Sequence, residues 1–157
     1  MMTAKVPTIC NMPHRVVSAS HRKEMMTTDQ ELRIYRLAES IGVTIEDDTT
    51  GVLSPYDLGG WFPDKRLILI ARDQSPADRL HTMAHELGHA LYGHPAGHCP
   101  RNERIAEEFA ASLLVDPHAY VEAELLFGPH SGAIAHELGV TVSLINTWRG
   151  LYERIVT

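Results

Sequence analysis

The sequence predicts an α+β fold in which helices pack around one short, mostly antiparallel β-sheet. Several segments carry apolar residues at helical spacing, whereas Leu67–Ile70 is a short, continuous apolar run typical of an inner strand. The chain has 157 residues, enough for one hydrophobic core, and its 44% hydrophobic and 22% charged residues are ordinary for a globular protein. These observations favour one α+β domain with a small appendage.

The first helix is predicted to follow an N-terminal arm. Residues 1–26 contain prolines and no sustained hydrophobic periodicity, so we expect them to be disordered. Thr28–Glu31 then matches the T-x-x-E capping box, in which two side chains satisfy free backbone amides at a helix N-terminus. Apolar residues follow at helical spacing, and Gly42 is suited to end the run, which predicts a helix over about residues 28–41.

Three β-strands are predicted after this helix. Val43–Ile45 is rich in β-branched residues, and the acidic, threonine-rich stretch up to Thr50 has the composition of a loop. Tyr56–Phe62 and Arg66–Ala71 favour two strands joined at Pro63–Lys65, because proline and aspartate are favoured in tight turns. We expect one of these two strands to offer its edge to an extended peptide.

The next helix carries the motif H-E-x-x-H. Ser75 is suited to be its N-cap and Pro76 to lie in its first turn. Residues i and i+4 lie on one face of an α-helix, so His85 and His89 can reach the same metal ion. This motif is typical of zinc metalloproteases, in which its glutamate, Glu86 here, acts as general base. The same five residues also occur by chance on ordinary amphipathic helices, so other ligands are needed to support the interpretation.

A third metal ligand must come from another segment, because a catalytic zinc usually takes three protein ligands and keeps one position for water. An extended motif with a third histidine is excluded, since the required positions hold Tyr92 and Pro95. The better candidate is Glu103, on a helix predicted over about residues 102–115, because a carboxylate on a stripe that otherwise packs inward needs a partner or a metal. One turn later, Glu107 can accept a hydrogen bond from the free ring nitrogen of a ligating histidine.

Further residues near the motif could bind the metal or assist the reaction. We interpret the rival ligands as loop or surface residues, and these are His81, His94, His98 and Cys99. A second donor for the oxyanion that develops on the scissile carbonyl stays open among Tyr56, Tyr92, His98 and His118. With zinc, the predicted site favours amide hydrolysis, in which Glu86 takes a proton from water and passes it to the leaving amine.

The C-terminal part of the chain is predicted to be helical. A short helix with Asp116 as its N-cap should begin at Pro117 and end before Gly128. Two further helices should meet at Gly139. Ala135, Gly139 and Ile145 match the spacing of a helix-turn-helix. From residue 117 onward, however, the chain has two arginines against four glutamates, so we expect no direct DNA binding.

Two motifs together resemble the ImmA/IrrE family of metallopeptidases. They are H-E-L-G-H at residues 85–89 and E-x-x-A-E-E-F-A-A-S-L-L at residues 103–114. The family shows H-E-x-x-H and then E-x-x-A-[ND]-x-F-A-x-x-L-L-x-P. The resemblance covers roughly residues 28–126. It departs from the family at Glu107, where asparagine or aspartate is usual, and in one extra residue before Pro117.

The resemblance implies a small zincin-like domain of the gluzincin type. His85, His89 and Glu103 are then the implied ligands of Zn²⁺, and Glu86 is the implied catalytic residue. It also implies the substrate, because family members cleave DNA-binding repressors in phages and mobile elements or in stress responses. The expected partner of this chain is therefore a helix-turn-helix repressor.

We accordingly predict three segments: a disordered arm over residues 1–26, a metallopeptidase domain over residues 27–127, and a helix-turn-helix-like module over residues 128–157. The formal charge is −6, there are only two cysteines, and neither a transmembrane-length run nor a secretory signal is present, which together predict a cytoplasmic protein without a membrane partner. The alternative function is a regulatory protein with a structural zinc site, whose C-terminal module binds DNA or a regulator.

Overall fold

The described part of the chain is a three-stranded sheet packed against α-helices. The computed structural model describes residues 19–156. The predicted arm over residues 1–26 lies outside the described residues as far as residue 18, and residues 19–26 are helical. In chain order the elements are α1 (Ala19–Ser40), β1 (Thr44–Asp47), β2 (Gly59–Phe62), a 3₁₀ turn (Pro63–Lys65), β3 (Leu67–Ile70), α2 (Pro76–Leu91), α3 (Pro100–Leu114), α4 (Pro117–Phe127), α5 (Ser131–Leu138) and α6 (Val142–Val156). The predicted α+β class is confirmed.

The first helix begins earlier than the capping pattern predicts. Thr28–Glu31 lies inside α1, so the predicted helix start was wrong. Residues 22–25 are arginine, lysine, glutamate and methionine, all strong helix formers, which allows the helix to extend upstream of the pattern. Gln30, within the pattern, is buried, and its side-chain amide donates a hydrogen bond of 2.9 Å to the carbonyl of Leu114. The pattern therefore contributes a tertiary contact rather than a helix cap.

The sheet has β3 at its centre, as predicted for the most apolar run. β3 pairs antiparallel with β2 and parallel with β1. The expectation of a mostly antiparallel sheet therefore needs correction, since the sheet is mixed. A tight turn reverses the chain between β2 and β3, so these two strands are antiparallel. The longer connection over residues 48–58 lets β2 begin in the opposite direction to β1, so β1 and β3 are parallel. Among residues 19–156, β2 is an edge strand of the sheet whereas β3 is paired on both sides, so the alternative peptide-binding edge at Arg66–Ala71 is excluded.

One hydrophobic core joins elements from both ends of the described chain. Its fully buried members include Ile34 of α1, Ile68 of β3, Leu87 of α2, Ile134 of α5 and Ile145 of α6. The two predicted C-terminal helices are present, and a left-handed glycine ends α5 at residue 139 with φ of 66°. The domain boundary predicted before residue 128 stays a prediction, although the core continues across it. Within the described residues no helix has the length and apolar character needed to span a membrane.

Helices α2 and α3 approach each other at Gly88, inside the H-E-x-x-H motif. A Cβ atom added to Gly88 would lie 3.0 Å from the Cα of Ala106 and 3.0 Å from the Cδ1 of Phe109. A Cβ added to Gly150 of α6 would meet no atom within 4 Å. Alanine at either position gains helix propensity, roughly 1 kcal/mol relative to glycine. The difference between the two substitutions therefore measures the cost of crowding at the α2–α3 contact.

We expect Gly88→Ala to leave the protein about 1–3 kcal/mol less stable than Gly150→Ala, because overpacking a close helix contact shifts the backbone. The measurement is urea unfolding of the two metal-free variants beside the wild type. Gly150→Ala should be slightly more stable than the wild type. Equal stability of the two variants would contradict the close approach of α2 to α3.

Candidate metal centre

The helix that carries the motif forms as the sequence predicts. The Ser75 side chain caps α2 by accepting a hydrogen bond from the backbone amide of Asp78 at 3.2 Å, and Pro76 is the first helical residue. One turn of this helix separates His85 from His89, and their Nε2 atoms lie 3.2 Å apart. Both imidazoles therefore present the same ring nitrogen to one point.

Glu103 reaches this point from α3. Its Oε2 lies 3.2 Å from His85 Nε2 and 3.6 Å from His89 Nε2. The helix can come this close because its facing residues are small: Ala106 and Ala110 are fully buried. The structure thus brings together His85, His89 and Glu103, the three residues predicted to be metal ligands. Their role as ligands stays a prediction.

The three donor atoms fit a tetrahedral zinc ion. Ligands about 2.0–2.1 Å from a tetrahedral metal lie roughly 3.3 Å from one another. The observed separations between the Nε2 atoms of His85 and His89 and the Oε2 atom of Glu103 are 3.2, 3.2 and 3.6 Å. These atoms form one of the two groups in the described residues whose donors lie close enough together to share a metal ion.

The other group consists of His81, His85 and Glu107. Here both histidines contact a single carboxylate oxygen, with His81 Nε2 at 2.8 Å and His85 Nδ1 at 3.2 Å from Glu107 Oε2. The shorter distance is that of a charge-assisted hydrogen bond and is too short for two ligands of a tetrahedral zinc. We therefore interpret Glu107 as the outer hydrogen-bond partner of His85, the role that the sequence analysis predicted for it.

Each candidate ligand histidine has a partner on its second ring nitrogen. His85 Nδ1 faces Glu107, and His89 Nδ1 lies 2.9 Å from His94 Nδ1. Such partners fix the tautomer and orientation of a metal-binding imidazole. His94 lies in the loop between α2 and α3, as the prediction of a loop or surface residue allows, but it is buried, with 8% of it exposed. For His81 the prediction was wrong, because it lies on α2 and its side chain is 21% exposed.

The remaining rivals are exposed, as expected. The His98 side chain is 89% exposed, with its Nδ1 3.4 Å from Glu103 Oε1, and Cys99 is an exposed free thiol. Among the four candidates for an oxyanion donor, Tyr56 and His98 line the hollows beside Glu86. Tyr92 and His118 line neither of these hollows. Tyr56 and His98 therefore stay the two candidates for the oxyanion donor, and the role of either one stays a prediction.

Glu86 lies between the motif helix and strand β2. Its carboxylate accepts a hydrogen bond from the backbone amide of Trp61. Burial raises the pKa of Glu86 to about 7, despite the opposing influence of the adjacent His85 charge and this hydrogen bond. A carboxylate with a pKa near the working pH is suited to accept and return a proton.

The other titratable groups divide by their partners. Burial lowers the pKa of His89, which favours the neutral form of its imidazole. Burial also acts against charge on His85, but the hydrogen bond to Glu107 and the Glu86 charge outweigh it, and the pKa of His85 is raised. Burial would raise the pKa of both Glu103 and Glu107, but their histidine partners hold both pKa values below the usual range. Protons therefore compete with a metal mainly at His85.

The free edge of β2 borders the site. The Ala71 amide donates a 2.8 Å hydrogen bond to the Leu58 carbonyl, which fixes the phase of the antiparallel ladder. Because bonded and non-bonded pairs alternate, the backbone groups of Gly59 and Trp61 point away from β3. Hollows on both sides of Glu86 continue along this edge. One is lined by Leu53, Gly60, Phe62 and Pro95 among others, and the other by Tyr56, Asp57, Asp78 and Thr82 among others.

One protein-family model matches the part of the chain that contains the candidate metal site. A family model described as Peptidase_M78, IrrE N-terminal-like domain, matches residues 47–147. The matched range contains β2, β3, α2 and α3, and also reaches into α6. No curated protein matches the chain.

Proposed function

Because the chain belongs to the Peptidase_M78 family, with its IrrE N-terminal-like domain, we propose that it is a zinc-dependent endopeptidase. Membership of this family supports a metallopeptidase acting on a protein substrate. The observation that carries the proposal is the convergence of His85 Nε2, His89 Nε2 and Glu103 Oε2 within 3.6 Å of one another, next to the half-buried Glu86. These three residues would hold the zinc ion.

The proposed chemistry divides between the metal and Glu86. When bound, zinc lowers the pKa of water to about 7 and polarises the scissile carbonyl group. Glu86, with its pKa raised by burial to about 7, takes the proton of the attacking water and then donates it to the nitrogen of the leaving amine. The backbone amide of Trp61 holds the carboxylate in place during both transfers. His98 and Tyr56 are the candidates to stabilise the developing oxyanion.

The substrate peptide would bind in extended form along β2. The backbone groups of Gly59 and the carbonyl group of Trp61 face the free edge of β2, and an added strand can hydrogen-bond to them, while the Trp61 amide remains with Glu86. Such binding requires a scissile segment that is exposed or locally unfolded. Acidic side chains along the cleft, among them Asp57 and Asp78, and the overall charge of −6 favour a partly basic partner.

A DNA-binding repressor of the helix-turn-helix type has these properties, and we propose it as the physiological substrate in the cytoplasm. The choice of a repressor rests on the resemblance to repressor-cleaving peptidases, because the shape of the cleft alone does not identify the amino-acid sequence of the substrate. A phage, mobile element or stress response would supply such a repressor.

The test is co-expression of the wild-type chain with the helix-turn-helix repressor encoded nearest its gene, followed by mass mapping of fragments and metal analysis. We expect one discrete cut in the repressor and about one zinc ion per purified chain. An intact repressor under every inducing condition tried would contradict the substrate. A wild-type protein that never retains stoichiometric zinc would contradict the metallopeptidase itself.

A regulatory protein with a structural zinc site is the second candidate. The observation that favours it is the geometry of α5 and α6, since Gly139 adopts the left-handed conformation of a tight interhelical turn between buried Ala135 and buried Ile145. From residue 117 onward the chain has four glutamates against two arginines, which argues against phosphate contacts. On this alternative, a variant without the Glu86 carboxylate would perform the cellular role unchanged.

A further inference from the structure

A chain of hydrogen bonds connects the start of α6 to His85. Thr141 precedes α6 and acts as its N-cap: its Oγ1 accepts a hydrogen bond from the amide of Leu144 at 3.3 Å. The same Oγ1 lies 2.9 Å from His81 Nδ1. His81 Nε2 lies 2.8 Å from Glu107 Oε2, and this oxygen lies 3.2 Å from His85 Nδ1. Residues 60 positions apart in the sequence thus meet beside the candidate metal site.

The direction of each hydrogen bond follows from the groups that take part. The Glu107 carboxylate can only accept, so both imidazoles donate to it, His81 from Nε2 and His85 from Nδ1. A neutral His81 with its proton on Nε2 has a lone pair on Nδ1. The Thr141 hydroxyl must donate to that lone pair, because Nδ1 then has no proton to donate, and the hydroxyl oxygen still accepts from the Leu144 amide. One consistent arrangement therefore satisfies the whole chain.

We propose that Thr141 is a positioning residue of the metal centre, which acts through His81 and Glu107 to hold the proton of His85 on Nδ1. This inference rests on the proposed metal centre, because it is the Nε2 lone pair of His85, left free by this tautomer, that faces His89 and Glu103. Loss of the chain at any step lets the proton of His85 move to Nε2, where it blocks a metal. Thr141 itself touches neither metal nor substrate.

A second contact ties the same helix to Glu107. Ser143 Oγ donates to Glu107 Oε1 at 3.2 Å, so residues at the start of α6 help to orient both carboxylate oxygens. Side chains of His81 and Glu107 are 21% and 23% exposed, which shields their hydrogen bond from water. The C-terminal helical pair is thereby an integral part of the metal centre. Its resemblance to a helix-turn-helix then reflects this packing and not a DNA-reading surface.

The test uses Thr141→Val, which is nearly isosteric but cannot donate, and Thr141→Ser, which keeps the hydroxyl. His81→Phe breaks the chain one step further on and leaves the helix cap intact. Asp116→Ala is the control for the loss of a cap, because Asp116 caps α4 through the amide of Ala119 and has no contact with the chain of hydrogen bonds. All variants are made in the full-length chain.

Two readouts separate positioning from general destabilisation. Imidazole ¹⁵N chemical shifts of the metal-free protein, recorded at alkaline pH where each imidazole carries a single proton, report the tautomer of each histidine. Competition with a chromophoric chelator reports zinc affinity. We expect the wild type to carry the His85 proton on Nδ1 and the His81 proton on Nε2. Thr141→Val and His81→Phe should each mix the His85 tautomers and weaken zinc binding by about tenfold, the scale for loss of an outer partner of a ligand.

Thr141→Ser and Asp116→Ala should keep the wild-type tautomers and zinc affinity. Combining Thr141→Val with His81→Phe should weaken zinc no further than His81→Phe alone, because both break one chain. A His85 proton on Nε2 in the wild type, or wild-type affinity and tautomers in Thr141→Val, would overturn the inference. The tautomer readout needs neither metal nor substrate, so an inactive protein with the expected tautomers would refute the proposed peptidase and not this inference.

Discussion

Glu86→Gln is expected to abolish peptide-bond cleavage while leaving the fold and zinc content unchanged. The amide has nearly the shape of the carboxylate and can still accept the hydrogen bond from the Trp61 backbone amide, but it cannot take a proton from water. Loss of a general base lowers turnover by roughly 10²–10⁴-fold. The measurement is the cleavage rate of the repressor, or of a peptide spanning its cut, with zinc determined in the same samples.

The matched control for this experiment is Glu122→Gln, which removes an exposed carboxylate of α4. It should cleave at the wild-type rate. Cleavage by Glu86→Gln at more than about a tenth of the wild-type rate would contradict the role of general base. Loss of zinc from this variant would show that Glu86 acts on the metal site and not on the proton.

The wild type and Glu86→Gln together also test the raised pKa of Glu86. Its folded pKa of about 7 lies above the usual 4.5, so the folded state keeps a proton that the unfolded chain releases. Stability should therefore fall as pH rises from about 4.5 to about 7, by at most about 3 kcal/mol before solvent screening. Urea unfolding of metal-free wild type should show this extra slope relative to Glu86→Gln. Parallel pH profiles of the two proteins would contradict the raised pKa.

His89→Ala should remove zinc almost completely. His89 is the most buried of the three candidate ligands, with a side chain 9% exposed, so solvent cannot easily replace its imidazole. We expect zinc affinity to fall by more than about 100-fold, beyond the range for an outer partner, and the increase in melting temperature on zinc addition to vanish. His118→Ala, at an exposed histidine of α4, is the control and should retain both. Undiminished zinc binding by His89→Ala would refute the assigned metal centre.

His94→Phe provides a graded comparison with this loss. The rings of His94 and Tyr92 are stacked, with their centroids 5.9 Å apart. Phenylalanine at position 94 can keep this stacking, but it removes the hydrogen bond to His89 Nδ1. The ligand itself remains, so zinc affinity should fall by about tenfold and not vanish. An affinity as low as that of His89→Ala would indicate that His94 binds the metal directly.

The sequence by itself determined the elements that local interactions govern. Ser75 and Asp116 cap α2 and α4 as predicted, because a capping side chain acts within one turn of its own helix. The spacing of His85 and His89 put both on one face for the same reason. The apolar run Leu67–Ile70 marked the central strand, because a strand paired on both sides can bury residues on both faces, and three of these four residues are buried. The family resemblance was equally readable, because its two motifs are contiguous.

Only the tertiary structure decided what depends on contacts between elements. The parallel pairing of β1 and the burial of His94 were missed because no local pattern records which distant segment covers a residue. The pKa of Glu86 is raised because its carboxyl group is buried where α2 faces β2, and the sequence does not show how deeply a side chain is buried. The hydrogen bonds from Thr141 to His85 likewise exist only because α6 packs against α3, with its N-cap residue beside His81 of α2. A capping residue is readable from sequence, but the second hydrogen bond of its hydroxyl depends on the fold.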